Sequence, residues 1–279
     1  YFFRANYILK DRYLLTATLR SDGASVFARN HKWGYFPSVA LGWTISEENF
    51  MAKASDWLSM LKLRLSWGQT GNADISTNAF ASYYAQEAYN KEDKSKQIGV
   101  FQGRLENPDL KWEVKRTVNA GIDVGFFRNR LLMTVDYYHS KTSDMLYLYD
   151  VSVPPFAYNK LLANLGSMRN SGVELGFGVT PLQTKDMELS INVNVTFQQN
   201  KLLSLSGMYK GEQMSAPEYT SISDLNGAGF HGGYNHIVYQ IVGQPLGVFY
   251  LPHCTGLTQR EDGSYQYEIA DLNGNGVNL

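Results

Sequence analysis

Trp112–Phe126 reads WEVKRTVNAGIDVGF, and its alternation decides the fold. Trp112, Val114, Val118, Ala120, Ile122, Val124 and Phe126 fall on one side, while Glu113, Lys115, Thr117, Asn119, Gly121 and Asp123 fall on the other. Only Arg116 interrupts the apolar side. Period two is the mark of a β-strand with one dry and one wet face. Ordinary globular strands run to about 5–6 residues, and this one is far longer. It suits a tilted strand that crosses a bilayer and projects beyond it.

The same pattern extends in both directions. Upstream, Tyr1, Phe3, Ala5, Tyr7 and Leu9 alternate with Arg4 and Asn6, and Tyr13, Leu15, Ala17 and Leu19 with Thr16, Thr18 and Arg20. Tyr35, Pro37, Val39, Leu41, Trp43 and Ile45 then oppose Ser38, Ala40, Gly42 and Thr44; Leu61, Leu63, Leu65 and Trp67 oppose Lys62, Arg64, Ser66 and Gly68. Downstream come Leu131–Tyr149, Val173–Val179 and Met187–Phe197, with a weaker run at Ile237–Ile241 that reads as a strand or an ordered loop. The connections are of two lengths. Lys10–Arg12, Phe127–Arg130 and Pro181–Asp186 are short; Ser21–Gly34, Thr70–Leu110, Val151–Met168 and Lys201–Asn235 are long. Outer-membrane barrels have short periplasmic turns and longer outer loops. The exception, Ser46–Ser59, is expected to be a short periplasmic helix. Ser46 would cap it, Glu47 and Glu48 would complement its positive end, and Phe50, Ala54, Trp57 and Leu58 would form an apolar face.

Composition agrees. The 279 residues are 44% hydrophobic, which excludes a disordered chain. No apolar run approaches the length of a transmembrane helix, but barrel strands alternate and average out to mildly polar. Aromatics reach 14%, with 19 Tyr, and Tyr and Trp favour membrane–water interfaces. A net charge of -1 leaves no basic stripe for nucleic acid. The single Cys254 leaves the redox compartment unread. Tyr1 opens inside a strand-like run and Leu279 closes in a Gly/Asn-rich turn, with no signal peptide or targeting tail, so both ends read as cuts. The fold class is therefore all-β: an incomplete antiparallel transmembrane β-barrel segment of about eight strands. A glycan-binding β-sandwich without transport activity is the alternative, and a barrel hydrolase is a third reading.

Several stretches resemble the SusC/RagA-like family of TonB-dependent outer-membrane transporters. They are RSDGAS at Arg20–Ser25, WGYFPSVALGWTISEENF at Trp33–Phe50, LKLRLSWGQTGN at Leu61–Asn72, and the region Asn107–Tyr147 that opens NPDLKWEVKRTVNAGIDVGFF. NSGVELGFGVTP at Asn170–Pro181 and VGQPLGVFY at Val242–Tyr250 complete an ordered set. The resemblance implies that residues 1–279 form part of a larger barrel with a plugged lumen, in the outer membrane of a Gram-negative bacterium. It implies a SusD-like surface lipoprotein as partner, energy delivered by the TonB complex through a plug region, outer-membrane lipids around the wall, and an oligosaccharide or peptide substrate. Leu251–Cys254 and the final DLNGNGVN depart from the family pattern, which puts loop chemistry in doubt rather than the fold.

Candidate chemistry is sparse. Asp271, Asn273 and Asn275 precede Gly276 at alternate positions, as in a calcium loop in an outer connection, but a single carboxylate favours a Gly/Asn turn; no other cofactor is expected. His31, His139, His231, His236 and His253 form no ligand pair at metal-binding spacing. No G-x-S-x-G elbow is present, and no catalytic residue is nominated. Glu113, Asp123, Asp136 and Glu174 read as solvated lumen residues. Trp43, Trp67, Trp112, Phe126, Phe127 and Tyr137 read as girdle residues. Tyr83, Tyr84 and Tyr89, in a long outer connection, are the candidates for stacking on a sugar ring.

Overall fold

The computed structural model describes residues 1–75, 84–89, 92, 95–101, 105–154, 156–215, 219–224, 236–249 and 253–270. Its strands are β1 (Phe2–Leu9), β2 (Tyr13–Gly23), β3 (Trp33–Thr44), β4 (Leu58–Asn72), β5 (Tyr84–Tyr89), β6 (Lys96–Phe101), β7 (Glu113–Phe126), β8 (Leu131–Asp150) and β9 (Lys160–Gln183). They continue with β10 (Glu188–Ser204), β11 (Ser206–Tyr209), β12 (Glu212–Ser215), β13 (Tyr219–Asp224), β14 (His236–Ile241), β15 (Val248–Phe249), β16 (Cys254–Gln259) and β17 (Tyr265–Ile269). An 8-stranded antiparallel sheet, ordered β1-β2-β3-β4-β7-β8-β9-β10, carries the architecture; the other strands form small hairpins and one three-stranded sheet. The large sheet does not close. Among the described residues, no helix is long and apolar enough to cross a membrane.

Register follows from the alternation. Tyr7, Leu15, Leu41, Leu65, Ala120, Tyr137, Val173 and Phe197 pair in turn across every strand of the sheet. This row belongs to the exposed face: Leu41, Leu65 and Tyr137 are each about half accessible. Ser66, Gly68, Asn119 and Thr134, which alternate with such residues, are less exposed than their apolar neighbours. A water-soluble sheet would bury the Leu and Val rows. Here they point away from the chain, as a hydrocarbon surrounding requires. Among the described residues, no second sheet covers them.

The apolar band also runs obliquely. On β2 it extends upward to Leu19, but on β10 it ends at Phe197, which stands in the row of Leu15. A level membrane boundary crosses the ladder at a slant only when the strands themselves are tilted.

Two expectations need correction. The segment after β3 is not one capped helix but two 3-10 turns, Ile45–Glu47 and Asn49–Ala54, and neither has a side-chain cap. Glu48 lies between them in extended conformation, at φ -79 and ψ 144, because its carboxylate is drawn back to the sheet. Phe50 stays exposed, and Leu58 starts β4 instead of ending a helix. The second correction concerns the upper ends of the strands. Lys160–Met168, expected as loop, is strand, so β9 runs for 24 residues against the 20 of β8. Parts of the other long connections are strand too, namely β5 and β6 before β7 and β11 to β13 after β10. The weak run near Ile237 is β14.

Candidate functional site: inner wall and upper crown

The polar face holds a closed ion network. Arg64 on β4 pairs with Gly121 on β7, which pairs with Asp136 on β8. The guanidinium reaches across that glycine and donates to both oxygens of Asp136, at 2.9 and 2.8 Å. Its Nε and Nη2 donate to Asp123 at 2.8 and 2.7 Å. Two carboxylates are thus held by the fork geometry that makes arginine–carboxylate pairs strong. Gly121 is required. A Cβ there would meet the Asp136 carboxylate and lie 2.8 Å from Arg64 Nη2. Chemically the network is a strut joining three strands of the wall, and its one cation facing two acids leaves a local negative charge.

At the tight-turn end, Glu48 gathers the wall from below. It accepts from Arg12 at 3.1 Å, Tyr13 at 2.7 Å and Trp43 at 3.1 Å. The Tyr13 and Trp43 bonds, with the nearby Arg12 charge, hold its carboxyl below the usual carboxylate range.

At the opposite end the extended β8 and β9 build a crown. Leu105, Tyr149, Leu161, Leu165, Leu202 and Tyr209 are buried together there. Tyr149 is almost inaccessible and its hydroxyl has no hydrogen-bond partner among the described residues; burial raises its pKa above the ordinary tyrosine value. Beside this core lies a cavity of about 510 Å³, lined by Lys111, Asp144, Asn164, Ser206, Tyr209 and His31 among others. Lys111 Nζ contacts Asp144 at 2.8 Å, and the Asn164 amide donates to the Lys111 and Asp144 carbonyls, each at 2.8 Å. Both charge signs and several hydroxyl and amide groups therefore face one space. Such a lining suits a polar, hydrogen-bonding ligand better than an apolar one.

The sequence-nominated residues are scattered. Tyr84 and Tyr89 begin and end β5, paired with Phe101 and Lys96; Tyr83 lies outside the described residues. The calcium candidates Asp271, Asn273 and Asn275 also lie outside them. Among the described residues, no group of three metal-ligating side chains occurs. Trp112 is not a girdle residue: its ring packs on Phe27 and Phe36, and its Nε1 donates to the Lys32 carbonyl. Asp123 and Asp136 are not merely solvated, since both are bound by Arg64. Sequence reasoning missed this strut. The available signal was a glycine standing between an arginine and an aspartate in one row.

An antiparallel, tilted, inside-out sheet with a polar lumen wall and an ordered crown defines a segment of an outer-membrane β-barrel. Comparison with known proteins names the group. The family model described as TonB dependent receptor-like, beta-barrel, matches residues 1–277. The chain is 38% identical over 218 residues to the TonB-dependent receptor SusC of Bacteroides thetaiotaomicron, covering 74% of this chain and 21% of that one. It is 37% identical over 205 residues to the TonB-dependent receptor P39 of Formosa agariphila, covering 73% and 19%. The solved structure of the RagAB peptide transporter superposes with a TM-score of 0.72 at 28% identity, over 92% of this chain and 26% of that chain. This chain belongs to the TonB-dependent receptor β-barrel family, in its SusC/RagA-like branch, and is a protein of the Gram-negative outer membrane. It spans about a fifth of the length of the relatives it matches.

Proposed function

We propose that the chain forms part of the conducting wall of a TonB-dependent importer of oligosaccharides or peptides. The observation that carries this reading is the reversed polarity of the sheet: apolar rows face outward, and the inward face holds hydrogen-bonding groups and the Arg64 strut. The crown cavity, with Lys111, Asp144 and Asn164 at its lining, supplies polar contacts for a multiply hydroxylated or amide-bearing substrate. A SusD-like surface lipoprotein would sit over the crown, and the TonB complex would deliver energy through a plug region. No catalytic step is assigned to it. The peptide arm draws support from the likeness to the RagAB peptide transporter. The oligosaccharide arm is what the resemblance to the SusC/RagA-like family implies, and the likeness to the TonB-dependent receptor SusC supports that family.

The test is growth and uptake. Cells lacking the full-length protein should lose uptake of one substrate class, oligosaccharide or peptide, and native cells should lose the same uptake when the proton gradient is collapsed. Affinity purification of the full-length protein should bring down a surface lipoprotein. Undiminished uptake of both classes in the deletion strain would refute the proposal.

A further inference from the structure

One row of the outward face breaks its own rule. Arg116 on β7 pairs with Lys141 on β8, Lys141 with Arg169 on β9, and Arg169 with Lys201 on β10. No bulge intervenes between these positions and Val118, Tyr137, Val173 and Phe197, so they keep the lipid-facing parity. On β1 to β3 the corresponding row is Phe3, Leu19 and Pro37. The basic run is therefore confined to a contiguous block of strands, at the end away from the tight turns.

Like charges placed directly opposite on neighbouring strands, about 5 Å apart, repel one another. Several other cations of the chain have carboxylate partners: Arg12 with Glu48, Arg64 with Asp123 and Asp136, Lys111 with Asp144, Lys160 with Asp150. Among the described residues, no carboxylate pairs with Arg116, Lys141, Arg169 or Lys201. The adjoining rows contribute Val118, His139, Ser171 and Gln199 on one side, and Val114, Ser143 and Ser167 on the other. None is acidic. Arg116 and Lys141 are exposed, and Arg169 and Lys201 half-buried.

We infer that this row is a binding site for the phosphorylated headgroups of outer-leaflet glycolipid. The apolar band directly below would receive the acyl chains of the same molecules, so one lipid satisfies both surfaces. Long basic side chains at a membrane boundary lay their stems on apolar surface and turn their charges to the headgroup level. The guanidinium forks suit phosphate oxygens, and the lysines supply point charge. Because the strands tilt, the row climbs from Arg116 to Lys201, which spreads the cations through the depth of the headgroup layer instead of along one plane. The inference rests on the outer-membrane reading and not on any substrate.

The experiment uses the full-length protein in detergent, with lipid A and enzymatically dephosphorylated lipid A as probes, and native mass spectrometry as the readout. Phosphorylated lipid A should be retained at least tenfold more than the dephosphorylated form. The combined variant Arg116→Gln, Lys141→Gln, Arg169→Gln, Lys201→Gln should abolish that preference. Lys10→Gln with Arg128→Gln and Arg130→Gln, at the other end of the wall, should not change it. Equal retention of the two lipids by the native protein would overturn the inference, even if the combined variant failed to fold. An unchanged preference in a folded variant would do the same. Uptake measured in parallel separates the two readings: lost lipid preference with intact uptake concerns this row alone, whereas absent uptake in native cells concerns transport alone.

Discussion

Arg64 shows how a single residue can organise a wall. Its side chain is partly accessible, so the pairs are screened more than a dry core pair would be, yet four donated bonds converge on two acids. Arg64→Met would leave Asp123 and Asp136 facing one another, and we expect a loss of about 2 kcal/mol from charged hydrogen bonds. The check is the urea midpoint of the full-length barrel refolded in detergent. Gly121→Ala should destabilise through the same contact, and the two changes together should cost less than their sum, as coupled neighbours do. Additive losses would show that the strut is not a unit. Tyr149 carries the opposite lesson. Its hydroxyl is buried without a hydrogen-bond partner among the described residues, so Tyr149→Phe should leave crown stability unchanged or raise it by about 1 kcal/mol, read from the rate of proteolytic clipping above the membrane. Neither role could be read without the cross-strand register, because both depend on which residues become neighbours across strands far apart in the chain; the Gly121 signal means something only once Arg64 and Asp136 are known to flank it.

Among the elements, the bilayer-crossing parts of β1 to β4 and β7 to β10 were legible from alternation alone, as was nearly all of β8, whereas the upper extensions of β9 and β10 were not. On β9 the lower run Val173–Val179 was visible, but Lys160–Met168 was not, because the register with β8 shifts beside Asp144, which sits at φ 56. A bulge flips the parity of everything beyond it, so period two no longer marks the strand partner on that side. The crown core of Tyr149, Leu161 and Leu202 holds those residues in strand nonetheless. Within the span, parity predicts tolerance. Val135→Arg on the apolar face should cost about 2–4 kcal/mol near the membrane midplane, whereas Thr134→Arg beside it should cost almost nothing. Heat-modifiable gel mobility of the two variants distinguishes them. The 3-10 segment was misread for a different reason. Local propensity favoured a helix, but Glu48 gains more from Arg12, Tyr13 and Trp43 than from a helical turn. Its lowered pKa means that the clasp is complete above the unfolded carboxylate value, near 4.3, and is lost only as pH falls through the lower folded value. Hydrogen exchange of residues 45–57 should thus stay slow through ordinary acid conditions and quicken below them. The Glu48→Gln variant should show no such step.

For the whole molecule, the open sheet sets the first expectation. β1 and β10 each have one partner within it, and lipid offers nothing to unpaired backbone groups. Expressed alone, the 279-residue chain should form aggregates or edge-paired oligomers in detergent, which size-exclusion chromatography with light scattering would reveal. The slanted apolar band carries a further consequence. Tilted strands in a closed ring lock circumference to register, so a change in girth demands that every ladder slide at once. With the Arg64 strut tying three strands on its inner surface, such a cylinder has high hoop stiffness. In the proposed importer, it would frame a passage without dilating to make one, and gating would fall to the occupant of the ring.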